Sequence, residues 1–492
     1  MSVCYCGYEW LKRHYGLDVD SPTPIAKVGG IKQPDHRLFR PQYRPDDTLA
    51  GHLTFALKYE HLNLGILAAL FQRCNCKALV QWVVANPQGI PSRRVWFFYE
   101  WLTGKRLNIP DAPTKARYID ALDEHAYYAA SPVNSARHKV RDNMPGTPGF
   151  CWLVRKTEAM KAYDAKALQQ QMQSTYADHP MMGRAEAFLL TKDSQSSFAI
   201  EKEAFDNRAV RWMKTVRAYM GQKLDAEKLF EMQKQLVANP DHGWRKVHGW
   251  IGDRLPDATP LPEHISAPPE SLEDLMQAWF AAYERLYDGA HPVAAATALA
   301  YGFVTIHPFT DGNGRIHRFL LHQLGQVPVS SELLAHIDDY IDGLKKISAP
   351  ILNRSEWMVA ADYNIALLND TTDLYRYADV TEQAEFMYQC VEQFVIQRMP
   401  MELEYLRAFD EAKQKIDAQL DMAEKDLTLL VNLCVQNGGH LSKTKRKLFA
   451  FLTDESIQYA EQMVLSAFAG YFKMLRANLK SEVSPILLRD HA

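Results

Sequence analysis

His307-Pro308-Phe309-Thr310-Asp311-Gly312-Asn313-Gly314-Arg315-Ile316-His317-Arg318 is the stretch on which the reading of this chain turns. It lies between two helical patterns. Upstream, Pro292 to Thr305 is rich in Ala and opens on a proline, which suits a first helical turn. Downstream, Ile316 to Gln323 runs toward Gly325, a natural helix stop. The loop glycines allow unusual dihedrals and close backbone approach. Gly312, Asn313 and Gly314 open the second helix, where free N–H groups and the positive dipole end form an anion nest. Arg315 and Arg318 lie three residues apart, nearly on one face, and can clamp phosphate oxygens. Asp311 beside the nest suits a magnesium ion that bridges phosphates. His307 can exchange a proton near neutral pH and is the natural general base for a hydroxyl nucleophile. Phe309 is expected to anchor the loop in the core, and His317 to be a packing or surface residue. Any one of these residues alone would most often be structural. Together they describe phosphate chemistry.

Outward from this loop the chain reads as mainly helical. Ala165 to Tyr176, Ser271 to Tyr287 and Glu382 to Leu420 carry apolar residues at three- and four-residue spacing. Ser271 is the expected N-cap of its helix, with Glu273 and Asp274 in the first turn. Strand candidates are few: Phe150 to Val154 and Val247 to Ile251. Proline- and glycine-rich stretches at Pro132 to Gly149 and Gly252 to Pro269 divide the chain. No internal repeat or low-complexity tract is evident.

Composition limits the alternatives. The chain has 492 residues, 47% hydrophobic and 23% charged, with a formal net charge of −3. That balance gives no global pull toward nucleic acid or acidic membranes, so an anion site must be built locally. The first residues lack a signal-peptide pattern, and Leu62 to Phe71 is about half the length a bilayer requires. Seven cysteines make no disulfide framework. The pairs Cys4/Cys6 and Cys74/Cys76 are closer than zinc ligands usually stand, so buried free thiols in a reducing cytoplasm are expected.

Residues 307–318 match, at every specified position, the signature His-x-Phe-x-(Asp/Glu)-Gly-Asn-Gly-Arg-x-x-Arg of the Fic family, which the chain resembles. The resemblance implies an all-α core with a small β-hairpin flap. It also implies transfer of AMP from Mg-ATP to a Ser, Thr or Tyr hydroxyl of a target protein. Carried over, His307 is the catalytic base and Asp311 the magnesium ligand. Gly312, Asn313 and Gly314 form the anion hole, Arg315 holds phosphates, and Arg318 holds the γ-phosphate. The segment Trp244 to Gly252 resembles the target-binding flap, with Trp250, Ile251 and Gly252 its candidate residues; a core strand is the alternative. Tyr340 is a candidate wall of the adenine pocket.

Many Fic proteins carry an inhibitory pattern, (Ser/Thr)-x-x-x-Glu-(Gly/Asn), whose Glu pairs with the second arginine. Ser197 and Glu201 have that spacing, upstream of the core, while Lys202 departs from the expected Gly or Asn. Autoinhibition by Glu201 is the expectation, with an ordinary helix the alternative. Ser92 to Gly104 resembles a segment found ahead of the core in longer relatives, and its aromatic stripe reads as core. Val435 to Phe449 resembles a winged-helix-like tail. Its Lys443, Lys445, Arg446 and Lys447 either touch DNA phosphates or form a solvated face, the latter being favoured. The expected division is 1–130 helical, 150–240 helical with the inhibitory motif, 241–350 catalytic core, 351–420 helical extension and 421–492 tail. A homodimer follows by analogy. Competing readings are AMP removal or another donor on the same scaffold, and a DNA-associated regulator.

Overall fold

The computed structural model describes residues 4–31, 33–163, 182–203, 207–289, 291–361 and 363–483. Its N-terminal layer is built from helices α1 (Gly7–Tyr15), α2 (Leu49–Tyr59), α3 (Leu64–Arg73), α4 (Cys76–Ala85) and α5 (Ile90–Thr103). In α5, Pro91 occupies the first turn and Gly104 closes the helix in the left-handed region at φ 65°. Its stripe of Trp96, Phe97, Phe98 and Tyr99 is buried in one apolar cluster with Leu67, Leu70 and Phe71 of α3. The stripe is core, as expected. Two small sheets not anticipated in this helical region are also present: β1 (Cys4–Tyr5), β2 (Ile25–Val28) and β3 (His36–Phe39); and β4 (Ile119–Asp120), β5 (Val133–Ser135) and β6 (Val140–Asp142). The cysteines are free thiols, but Cys76 is exposed rather than buried.

Phe150 to Val154 is not a strand of a sheet. The segment is extended and buried, and its backbone pairs with an irregular stretch: Cys151 N–H donates to Arg376 O at 2.8 Å and Leu153 N–H to Ala378 O at 2.8 Å. Its apolar residues bury on both sides, which is why it looks like a strand in sequence.

The region around residues 307–318 follows with α6 (Asn207–Tyr219), α7 (Ala226–Leu236), β7 (Trp250–Arg254), β8 (Pro260–Ile265), α8 (Leu272–Leu286), α9 (Pro292–Ile306), α10 (Asn313–Gly325) and α11 (Ile337–Arg354). α9 is sunk in the core from Val293 to Ile306, and its small residues let neighbours approach. A Cβ on Gly302 would stand 2.3 Å from the Phe150 ring. The Val247–Ile251 strand begins later than expected, at Trp250. Ser271 stands at the N-cap of α8 as expected, but its side chain makes no capping bond: a 3₁₀ turn leads into the helix, and the Ser271 hydroxyl bonds Thr372 at 2.6 Å. A second hairpin, β9 (Trp357–Val359) with β10 (Ile365–Leu367), comes after α11.

The chain forms two compact units, 1–162 with 200–326 and 336–387, and 163–199 with 327–335 and 388–492. The second unit contains helix Met182–Ile200 and the helices Met399–Asp417, Glu424–Gln436, Asp454–Ala467 and Ala469–Val483. The expected Glu382–Leu420 helix is two helices, Thr381–Gln393 and Met399–Asp417, joined by a π-turn at Phe394–Arg398. The tail core starts inside that second helix, at Ala408, Ala412 and Ile416, and continues to Phe472. Among the described residues of the tail there is no strand. The Ala165–Tyr176 expectation lies outside the described residues.

Candidate active site

α9 ends because His307 takes the left-handed conformation, φ 56° and ψ 62°, while its N–H still donates to Phe303 O at 2.9 Å. Pro308 then bars a further helical turn. The histidine ring is half-buried, with Nδ1 3.1 Å from Val304 O. A carbonyl only accepts, so Nδ1 carries the proton and Nε2 keeps its lone pair. Burial, with a smaller contribution from the Arg245 charge, holds the His307 pKa down at about 4 against the opposing bond to Val304. The ring is therefore neutral at pH 7 and able to accept a proton at Nε2.

The loop after His307 is braced from several sides. Phe309 is buried against Trp244 and Phe230, at centroid separations of 5.4 and 6.0 Å. Asn313 folds its amide back onto the Phe309 peptide, accepting from N–H at 3.1 Å and donating to the carbonyl at 2.8 Å. Thr310 donates to Asp241 through its N–H at 2.8 Å and its hydroxyl at 2.9 Å. Arg245 is buried and donates through Nε to His307 O at 2.8 Å, through Nη1 to Val247 O at 2.6 Å, and through Nη2 to Ala267 O. It thereby ties the chain on either side of the β7–β8 hairpin to the catalytic loop. The sequence reading missed Asp241 and Arg245 in these roles. Their partners are backbone groups distant in sequence, so no local spacing marks them.

Gly312, at φ 91°, caps α10 in a conformation that favours glycine. Gly314 leaves room for a different neighbour: a Cβ there would stand 2.2 Å from Oε1 of Glu201, so the carboxylate would have to shift. Arg315 and Arg318 are almost wholly buried and both meet carboxylates. Arg318 Nη2 donates to Glu201 at 2.6 Å. Arg315 donates through Nη1 to Glu203 at 2.8 Å and through Nη2 to Asp311 at 3.1 Å. Glu203 was not anticipated; its signal was only its position two residues beyond Glu201. Asp311 is 63% exposed, and its Oδ1 also accepts from Gly312 N–H at 2.6 Å. One carboxylate facing solvent beside an anion nest fits a magnesium ion that arrives with phosphates and keeps several waters.

Tyr340 corrects the adenine-wall expectation. It is buried, with its ring 6.0 Å from that of His317 and its hydroxyl bonded to Arg318. It supports the arginine and shows no open face. His317 is a packing residue, with Nδ1 2.8 Å from Ala300 O. Trp250, Ile251 and Gly252 do fall in a hairpin, β7–β8. Gly252, at φ 148°, sits at a bulge where a Cβ would meet Leu261 O at 2.1 Å. Ser197 is buried on helix Met182–Ile200 of the second unit, and Glu201 follows that helix directly. Lys202 occupies the left-handed region at φ 57°, the conformation for which the pattern expects Gly or Asn. In the tail, Arg446 is committed to structure, donating to Phe449 O at 2.6 Å, Leu452 O at 2.8 Å and Asp454 at 2.9 Å. Lys443, Lys445 and Lys447 are exposed.

A histidine with an unprotonated Nε2 at the C-terminus of one helix is followed by two loop glycines and two buried arginines at the start of the next. Residues 223–324 match the Fic/DOC family. Among similar proteins, the protein adenylyltransferase Fic of Culex quinquefasciatus is 22% identical over 288 residues, 52% of this chain and 55% of that protein. The protein of the same name from Drosophila willistoni is 28% identical over 118 residues, 23% of this chain and 22% of that one. The chain thus spans about half of the first relative's length and about a fifth of the second's. A Fic family protein from Desulfovibrio desulfuricans G20 superposes with a TM-score of 0.37 at 18% identity, covering 60% of this chain and 88% of that one. A Fic domain containing signaling protein from Bacteroides thetaiotaomicron VPI-5482 gives 0.32 at 16%, covering 47% and 95%. No helix among the described residues is long and apolar enough to cross a membrane.

Proposed function

We propose that this chain is a protein adenylyltransferase that moves AMP from Mg-ATP to a Ser, Thr or Tyr hydroxyl of a target protein. The observation that carries the reading is His307, neutral and with Nε2 unprotonated, set beside the nest at the start of α10. The acceptor oxygen attacks the α-phosphorus as Nε2 takes its proton. The new O–P bond forms as the α–β bridging bond breaks, and pyrophosphate leaves. The N–H groups of α10 and Arg315 meet the charge that grows on the phosphate oxygens. Arg318 is placed to hold the γ-phosphate. Asp311 would hold the magnesium ion, whose charge stabilises the leaving pyrophosphate. The β7–β8 hairpin offers a free strand edge to the target backbone.

The same reading makes the enzyme autoinhibited. Glu201 on Arg318 and Glu203 on Arg315 occupy the groups ATP needs. A second reaction on this scaffold, AMP removal, draws support from the Glu201 carboxylate beside Gly314, where it can orient a water. The test is incubation with magnesium and ATP labelled on the α-phosphate, in the presence of lysate. Transfer predicts label on protein, raised by Glu201→Gly and abolished by His307→Ala. No label from any folded variant would sink it; loss of AMP from labelled protein by the wild type, abolished by Glu201→Gly, would favour removal.

A further inference from the structure

The hairpin β9–β10 has no part in the phosphate site, yet it is fastened to the flap. Trp250 Nε1 donates to Asn364 Oδ1 at 2.9 Å, and Asn364 Nδ2 donates to His248 O at 3.1 Å. Arg254 Nη1 donates to Tyr363 O at 2.6 Å. The turn of the second hairpin thus grips β7 near both ends. Large apolar side chains stand in water on both hairpins: Ile251, Leu255 and Leu261 on the flap; Met358, Tyr363 and Leu368 on its neighbour, these last three 54%, 58% and 61% exposed. Scattered exposed apolar residues mean little, but a concentration beside a catalytic loop marks a contact surface. Tyr363 adds a second sign. It is a bulky residue held at φ 60°, a conformation that persists only where the surroundings impose it.

The charges say what would bind. Asp253 and Asp257 on the flap and Glu356 at the foot of β9 form no ion pair among the described residues. Lys345 is paired with Glu263 at 3.2 Å, while Arg254, bonded to carbonyls and lying over the Trp250 ring, keeps its charge and leaves three carboxylates against one guanidinium. The surface is therefore apolar with an acidic rim. Each hairpin has only two strands, so strand edges remain to receive an extended segment.

We propose that β9–β10 is the second half of the target-docking surface, and that it selects extended segments carrying apolar residues and Lys or Arg beside the acceptor hydroxyl. The proposal rests on the adenylyl-transfer reading. Apolar side chains of the segment cover Met358 and the Tyr363 ring, while its cations meet Asp253 and Glu356, one on each hairpin, which steers encounter and discriminates against acidic segments.

The test uses the full chain carrying Glu201→Gly, α-labelled Mg-ATP, lysate, and a peptide library with a central Ser, Thr or Tyr and one flanking position fixed at a time. Apolar and basic flanks should label best. Met358→Ser with Tyr363→Ser should reduce the apolar preference about tenfold, as loss of a well-packed contact does. Asp253→Asn with Glu356→Gln should remove the basic preference and its salt dependence. ATP affinity of the same proteins serves as the check on folding. Equal labelling of all peptides, a preference unmoved by these substitutions, or labelling of lysate proteins without any peptide would each overturn the proposal. If neither peptides nor lysate proteins are labelled although ATP binds, the adenylyl-transfer reading itself fails and the docking proposal falls with it.

Discussion

Two carboxylates, each on its own arginine, predict how tightly ATP should bind when either is removed. Glu201 meets Arg318 at 2.6 Å, and Arg318 is 2% exposed while Glu201 is 35% exposed. A hydrogen bond between charged groups contributes about 1.5–3 kcal/mol, and the exposure of Glu201 puts this one near the lower end, roughly 1.5–2 kcal/mol. ATP must displace that contact to place its γ-phosphate, so Glu201→Gly should tighten ATP binding roughly 10- to 30-fold. Glu203 meets Arg315 at 2.8 Å but also neighbours Arg208 at 3.5 Å, and Arg315 keeps Asp311 when Glu203 is lost. That contact contributes about 0.5–1.5 kcal/mol, so Glu203→Gln should tighten binding roughly 2- to 10-fold.

The two residues are held in one short segment after helix Met182–Ile200, and they occupy different arginines. If the segment leaves as one body, ATP works against both contacts at once and the double variant should gain roughly 100-fold. Calorimetric titration of wild type, both single variants and the double variant with a magnesium complex of a non-hydrolysable ATP analogue measures this directly. An affinity for Glu203→Gln equal to wild type would refute the two-contact reasoning and leave Glu201 as the sole obstacle.

Other consequences follow from the same geometry. Lys202→Gly removes left-handed strain of about 1–2 kcal/mol from the inhibitory segment, so it should weaken ATP binding and slow labelling; faster labelling would refute the assignment. Asp241→Asn loosens the Thr310 peptide and should cut the transfer rate roughly tenfold while ATP affinity stays within about twofold; a fall in affinity alone would mean Asp241 acts on binding. Burial holds His307 at a pKa of about 4 and His264 and His317 at about 3, all below the ordinary histidine value of 6.5. The unfolded chain therefore takes up more protons as pH falls through 6.5 toward 4, and melting temperature should fall across that window; a flat profile would contradict it. Arg446→Ala should lower the melting temperature through loss of about 2 kcal/mol, while Lys445→Ala should change stability by less than about 0.5 kcal/mol.

The helix-loop-helix was legible because its parts are neighbours in sequence: proline at the head of α9, glycines in the loop, and arginines one turn apart. The α5 stripe was legible for the same reason. What failed to show were partners. Phe150 to Val154 carries a buried strand's residues, and nothing within it says that its backbone pairs with an irregular stretch more than two hundred residues away. Ser271 has a cap's identity, yet its hydroxyl bonds Thr372. Tyr340 is an aromatic in the right region whose ring proved to be packed on His317. Asp241 and Arg245 act on carbonyls and amides, which every residue has, so no side-chain pattern announces them.

The inhibitory segment shows how a local rule and a tertiary one meet in a single short pattern. Lys202 departs from Gly or Asn in identity but adopts the left-handed conformation those residues favour, so the position specifies a backbone turn and the side chain is secondary. That turn lies between Glu201 and Glu203, allowing both to face the start of α10. There Arg318 and Arg315 hold the two carboxylates, and Glu201 Oε1 lies where a Cβ on residue 314 would crowd it. The glycine that lets a phosphate approach is therefore also what lets the carboxylate approach. On the autoinhibited reading proposed above, Glu201 stands where an anion would meet Arg318, and Glu203 does the same at Arg315. On that reading the segment and ATP compete for the same arginines, so raising ATP should shift the segment outward.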